Sequence, residues 1–290
     1  MTDSKKPAET AVLGRGSAPP TSFSDIMRLI PHLPSLPDSQ GGGDWADAAE
    51  WLGIVQQRQP AQLLRPKLAL LAARHGDKVP ADDLLTPYQN GQAPLIAEAS
   101  AIGSELQIYD LRDAPVGDSG QGPALTETEA AHAMAYGMTV AGQGYDLLAL
   151  STLGDEETGA NSSAAAVIAA LLKNEPDDAG AKAAIAANRA ALTDPLTIAA
   201  TLGGHDICAM VGAMLAARLA HLPTIVEGRP AVAAALVLAM LDRDLTLHIR
   251  STTQIDVYPQ SLLKVLPKIG AIYEHEPVAS LQRLCLALQR

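Results

Sequence analysis

Residues 146–172 read DLLALSTLGDEETGANSSAAAVIAALL. Leu147 to Leu150 form a short, unbroken apolar run of the kind that fits a strand buried on both faces. A polar turn containing glycine follows, and then an alanine-rich helix that opens near Asn161-Ser162-Ser163. Asn and Ser are favoured helix caps, so these residues suit an ordinary strand-to-helix junction. They also suit a second role. A strand feeding a helix through small residues leaves unpaired N–H groups at the helix start, a place to hold an anion. Asp155-Glu156-Glu157 stand just ahead of the turn. Three acids beside an anion site repel what it binds unless one of them has a chemical role.

The same alternation extends in both directions. Upstream, Pro66 to Ala73 (PKLALLAA) is a buried strand bounded by Pro66 and by His75-Gly76. A helix after Gly91, a stop at Gly103 and a strand from Leu106 to Leu111 come next, with residues 78–90 read as a loop. A helix then lies within Pro123 to Gln143, with Thr126 and Thr128 as caps and Glu127 and Glu129 in its first turn. Downstream, Pro176 to Ala191 is helical and Asp194-Pro195 starts another helix. Gly203-Gly204-His205-Asp206 lead a helix that carries Ile207, Met210, Val211, Met214, Leu215 and Leu219 on one face, with Arg218 at the edge; the methionines are core filler. Leu222 to Glu227 is a strand, Pro230 to Leu241 an apolar helix, and Leu245 to Ile249 a last strand. Near the start, Ser24 to Ile30 is a short helix capped by Ser24 or Asp25, and Asp44 to Gln57 a longer one.

Strands that begin near Lys67, Leu106, Leu147, Thr224 and Leu245 predict an α/β fold, a mostly parallel sheet with helices on both faces in a Rossmann-like three-layer arrangement. Loops at the carboxyl ends of the strands then converge on one crevice: His75-Gly76, residues 155–163, Glu227 to Arg229 and Arg250-Ser251, with Gly203-Gly204 alongside. The domain plan is a mobile tail (1–22), an N-terminal helical segment (23–60), the α/β core (61–255) and a C-terminal helical segment (256–290), the two helical segments forming a smaller lobe.

Composition narrows the function. The 290 residues are 48% hydrophobic but only 3% aromatic, so the core is aliphatic and alanine-rich. The net charge of −11, with no basic run beyond Lys5-Lys6, argues against nucleic acid or an anionic membrane as partner. Cys208 and Cys285 are far apart in sequence and lie in apolar helical patterns, which fits buried free thiols. The N-terminus has no apolar signal-peptide core, and the apolar run 231–241 is too short to span a bilayer. A soluble, cytoplasmic protein is expected. No metal is called for: His75, His205, His248 and His275 lack HxxxH-type spacing, and no Cys/His ligand set stands out. A nicotinamide-dependent dehydrogenase is disfavoured because no GxGxxG follows a strand.

Several stretches resemble the nicotinate-nucleotide:dimethylbenzimidazole phosphoribosyltransferase (CobT) family. GDEETGANSSAAAVIAALL is similar to its GEMGIGNTT segment and the helix after it, placing Glu156 on the family's Glu, Asn161 on its Asn, and Ser162 and Ser163 on its two Thr. DPLTIAATLGGHDICAMVGAMLAARLAHLPTIVEGRPAVAAALVLAML (194–241) is similar to DPLxxLxxxGGPEIAAMVGAxLAAAxxxxPVxLDGFxxxAAALLA. There His205 replaces the Pro, Asp206 the Glu, Glu227 the Asp and Arg229 the aromatic. AARHGD matches AGDHGV at His75 and Gly76, and AAEWLGIVQ matches the helix ending LAxxLAxIQ, although the PPGSLG run before it is missing. Arg250 and Ser251 align with the Arg and Ser of SHRSAEPGH, with Thr253 at the acidic position. GAIYEHEPVASLQRLCLAL falls where the family has LRLGEGTGAALALPLL, so Glu274 or Glu276 takes the place of that motif's Glu and the flanking glycines are gone.

The resemblance implies an enzyme that moves 5-phosphoribose from nicotinate mononucleotide to a benzimidazole base, without a cofactor, as a homodimer. Glu276 or Glu274 would be the base and Glu156 would support charge. His75, Gly159, Asn161, Ser162, Ser163, Gly203, Gly204, Glu227, Arg250 and Ser251 would bind substrate. The loop before Gly91, shorter than the family's, offers Tyr88, Gln89 and Gln92 as polar candidates near the base. The substituted motifs leave one alternative: a relative that keeps the fold but only binds a nucleotide, a base or a partner.

Overall fold

The computed structural model describes residues 20–37, 45–80, 82–154 and 159–252. Glu156, Thr253, Glu274, Glu276, Cys285, residues 1–19 of the tail and the C-terminal segment therefore lie outside the described residues. Among those described, β1 (Pro66–Ala73), β2 (Glu105–Leu111), β3 (Leu147–Thr152), β4 (Thr224–Val226) and β5 (Ile249–Ser251) form one sheet in the order β2-β1-β3-β4-β5. Every pairing is parallel. The sheet is the one expected from the strand spacing.

Side-chain alternation explains why β1 and β3 read as unbroken apolar runs. Leu68, Leu70 and Ala72 of β1, with Leu147 and Ala149 of β3, enter one apolar cluster. Trp51, Leu52 and Val55 of α2 (Trp45–Gln56) and Leu85 of α3 (Asp82–Gln89) complete it. Ala69, Leu71, Leu148 and Leu150 enter a larger cluster on the other face. That face is covered by α5 (Glu127–Met138), α6 (Ala160–Leu172), α9 (His205–Leu219) and α10 (Arg229–Leu241). The remaining helices are α1 (Phe23–Met27), α4 (Pro94–Ala101), α7 (Ala179–Asn188) and α8 (Pro195–Ile198), the last continuing as a π turn over Ala199–Gly203. Pro195 sits at the first position of α8, where its missing N–H is no loss, and Asp194 caps the helix.

Four local expectations are corrected. Ser22, rather than Ser24 or Asp25, caps α1, in a reciprocal capping box with Asp25. Residues 78–90 contain α3, which forms because Leu85 has a core to enter. The last strand begins later than Leu245: Asp242 accepts from the Asp244 N–H at 2.9 Å and starts a 3₁₀ turn, Arg243–Thr246, before β5. Arg218 is not at an edge but buried, only 3% exposed.

Arg218 is buried because α9 is covered all round. Every residue from His205 to Arg218 is buried. The face opposite its large side chains is made of Cys208, Ala209, Gly212, Ala213, Ala216 and Ala217, small enough to lie against another helix. That helix is α5. A Cβ added at Gly212 would stand 1.9 Å from the Met134 carbonyl oxygen, and one at Gly137 1.8 Å from that of Ala209. The two backbones touch, and each glycine is there because no side chain fits.

Gly212→Ala must push α5 and α9 apart, and overpacking of this kind costs about 1–3 kcal/mol or more. Urea denaturation of Gly212→Ala should show a loss in that range. An unchanged midpoint would mean that the helices do not cross this closely.

Candidate active site

With the order β2-β1-β3, the chain leaves β1 in one direction to form β2 and returns on its other side for β3. Loops diverge at such a switch point, and ligands of open parallel sheets bind there, beyond the carboxyl ends of the strands. A cleft of about 260 Å3 occupies this position. Its walls are His75 and Lys78 after β1, Asp118 after β2, Gly159 and Ser162 at the start of α6, and Gly203 before α9.

Each wall is held by local chemistry. His75 and Lys78 exchange two backbone hydrogen bonds, of 2.9 and 3.1 Å, which close a tight turn through Gly76 at φ +62°. Gly159 begins α6 at φ +80°, with no side-chain cap; a Cβ there would lie 3.2 Å from both the His75 Cβ and the Lys78 Cδ. Glycine at this position leaves the N–H groups of the first turn of α6 uncovered by a capping side chain. Ser162 Oγ donates to Asp178 Oδ1 at 2.5 Å, and the same oxygen accepts from the Ala181 N–H that opens α7. The Ser162 hydroxyl and that amide hold the Asp178 carboxyl below its ordinary value.

At the floor, both ring nitrogens of His75 meet acceptors. Nδ1 is 3.0 Å from the Gly203 carbonyl oxygen and Nε2 is 3.2 Å from Asp206 Oδ2. Neither acceptor carries a proton to give when Asp206 is ionised, so an imidazolium satisfies both contacts. Burial opposes charge on His75, but the facing Asp206 carboxylate outweighs it and raises the imidazole above its usual value. For Asp206, burial favours the neutral acid, yet the charge and hydrogen bond of His75 hold it below the carboxylate range. The neighbouring His205 is pushed down by burial.

The structure brings His75, Gly159, Ser162, Ser163 and Gly203 together in the cleft lining, with Asn161 in the first turn of α6 and Gly204 against the His75 ring. Tyr88, Gln89 and Gln92 are not part of that lining. Tyr88 packs toward the cluster on the other sheet face, and Gln89 and Gln92 are exposed. Glu227, Arg250 and Ser251 are buried farther along the carboxyl edge, at β4 and β5. There Thr252 Oγ1 donates to Glu227 Oε2 at 3.2 Å, and the Arg250 guanidinium lies 5.0 Å from the Trp51 ring centroid. Sequence reasoning passed over Lys78, Asp178 and Asp206. Asp206 had a visible signal, an acid in the first turn of a helix that follows two glycines. Asp178 looks like a plain helix cap until the fold sets it beside Ser162.

Parallel sheet and switch-point cleft define a class: open α/β proteins, whose ligands sit beyond the carboxyl ends of the strands. Comparison with known proteins is more specific. Residues 38–255 match a family model described as phosphoribosyltransferase. The nicotinate-nucleotide–dimethylbenzimidazole phosphoribosyltransferase of Brucella anthropi is 31% identical over 268 residues, covering 77% of each chain. Its counterpart in Allorhizobium ampelinum is 33% identical over 263 residues, covering 74% of this chain and 75% of the relative. The chain belongs to this phosphoribosyltransferase family. A crystal structure of the Thermus thermophilus enzyme of the same name superposes with a TM-score of 0.71 over 94% of this chain and 96% of that one, at 24% identity, and so shares the fold.

The His75–Asp206 pair yields a test with a defined sign. Removing one partner of a buried ion pair costs about 3–5 kcal/mol, so Asp206→Asn should lose stability of that order in urea denaturation. The raised His75 value stabilises fully below the unfolded imidazole value near 6.5 and is lost as pH climbs through the folded one. The lowered Asp206 value acts above the unfolded carboxyl value near 3.8 and is lost as pH falls through the folded one. The gap between wild type and Asp206→Asn should therefore be widest between these limits and shrink as pH rises through the His75 titration. A gap independent of pH would contradict the ion pair.

Proposed function

We propose that this protein transfers 5-phosphoribose from nicotinate mononucleotide to 5,6-dimethylbenzimidazole or a related base, giving an α-ribazole phosphate and free nicotinate. The observation that carries this reading is alignment over about three quarters of the chain with relatives of that name, at 31 and 33% identity. The cleft agrees with it. Backbone N–H groups at the starts of α6 and α9 suit a phosphate and a ribose, and need no lysine cluster.

Transfer at C1′ develops positive charge as the nicotinate leaves, so a carboxylate nearby stabilises the transition state. Glu156, three residues before Gly159 in sequence, is proposed for that role. The attacking azole nitrogen also needs a base to take its proton, and Glu274 or Glu276 is proposed as that base. No cofactor enters the reaction. The family resemblance supports a cytoplasmic homodimer, and the net charge of −11 supports small molecules over nucleic acid or membranes as partners. Among the described residues no helix is long and apolar enough to cross a membrane.

The test is nicotinate release from nicotinate mononucleotide with and without 5,6-dimethylbenzimidazole. Wild type should release nicotinate only when the base is present, and either Glu274→Gln or Glu276→Gln should slow release by about 10²–10⁴-fold, the usual range for loss of a general base. No release by wild type, with mononucleotide still bound, would leave a nucleotide-binding protein instead.

A further inference from the structure

The reaction above leaves two groups without a task, His75 and Asp206. They are 8% and 1% exposed, and the two ring nitrogens of His75 face the Gly203 carbonyl and Asp206. Neither is placed to take the azole proton, because the ring N–H groups are already committed to Gly203 and Asp206. What the pair touches is the wall of the cleft. Asp206 Oδ1 accepts from the Ile207 N–H at 2.8 Å, so one carboxylate joins the end of β1 to the first turn of α9. A Cβ at Gly204, φ +127°, would stand 3.1 Å from His75 Cε1, and one at Gly159 would stand 3.2 Å from His75 Cβ. The Gly204 corner thus closes onto the imidazole, and the Gly159 corner onto the Cβ of the same residue.

The peptide between Gly203 and Gly204 is trans, so its C=O and N–H point in opposite directions. His75 pins the C=O, and the Gly204 N–H is thereby turned away from the ring. A peptide joining two glycines has little steric preference of its own, and the hydrogen bond from His75 adds a constraint on it at the end of the π turn. We propose that the buried His75–Asp206 pair is a positioning device for the substrate phosphate. It fixes the Gly203–Gly204 peptide in the arrangement that receives the phosphate, while touching no substrate atom itself. This rests on the phosphoribosyl-transfer reading for the identity of the ligand.

A positioning role for phosphate differs from a general structural role in what it spares. The experiment is calorimetric titration of wild type, Asp206→Asn and Asp206→Glu with nicotinate mononucleotide and with the phosphate-free nucleoside, beside the nicotinate-release assay. Asp206→Asn should bind the mononucleotide at least about tenfold more weakly, as small misplacements of binding groups do, with the nucleoside changed less than about threefold. Asp206→Glu, which keeps the charge opposite His75, should recover most of the mononucleotide affinity. Equal weakening of both ligands, or of neither, would overturn the proposal. If Asp206→Asn does not fold, His75→Gln carries the same comparison, since its amide can still donate to Gly203 but leaves Asp206 without a cation. Turnover in wild type without the phosphate-selective loss defeats this inference alone. The selective loss without turnover defeats the transferase reading alone.

Discussion

Contact between the backbones of α5 and α9 is the constraint on which the rest of the molecule depends. Gly137 and Gly212 let the two helices meet with no side chain between them. That closeness buries α9 from His205 to Arg218 and presses it against β1 and β3. A helix enclosed in this way has little freedom to slide, because interiors pack at crystal-like density and transmit displacement. Its first turn, which carries Asp206, is therefore set against the end of β1 by the packing of residues up to four turns away.

Electrostatics at that end follow from the packing. Two charged groups removed from water are a net cost unless geometry and hydrogen bonds are good. Here the His75 ring donates from both nitrogens and Asp206 accepts from both His75 and the backbone of α9. The pair thus replaces much of the hydration it has lost. The cleft wall beside it includes Gly159 and Gly203, whose small size lets backbone amides come close to a ligand but which hold no shape of their own. A rigid charged pair and a permissive backbone are complementary: one supplies the geometry and the other the room.

The cleft divides the chemistry between parts of the chain. The described walls offer backbone amides, three serines, His75, Lys78 and the carboxylates of Asp77 and Asp118. The carboxylates proposed to act at C1′ and on the azole, Glu156 and Glu274 or Glu276, lie outside the described residues.

Much of the fold was legible in the chain. Unbroken apolar runs of strand length at Pro66 to Ala73 and Leu147 to Leu150 mark strands buried on both faces, and glycine, proline and acidic caps mark the helix ends between them. The motif around Asn161-Ser162-Ser163 and the Gly203-Gly204 pair located the cleft for the same reason, since small residues before a helix are a local signal. Other features are not local. Whether residues 78–90 fold as α3 depends on Leu85 finding a core made by distant residues, and periodicity placed Arg218 at a helix edge because it cannot show that α5 covers the face of small residues. The meeting of His75 with Asp206, 131 residues apart, and of Ser162 with Asp178 depends on sheet order and helix packing. Sequence determined most of the elements through short-range sterics and burial; only the tertiary structure decided whether α3 forms and which charges share a corner, because both are matters of long-range packing.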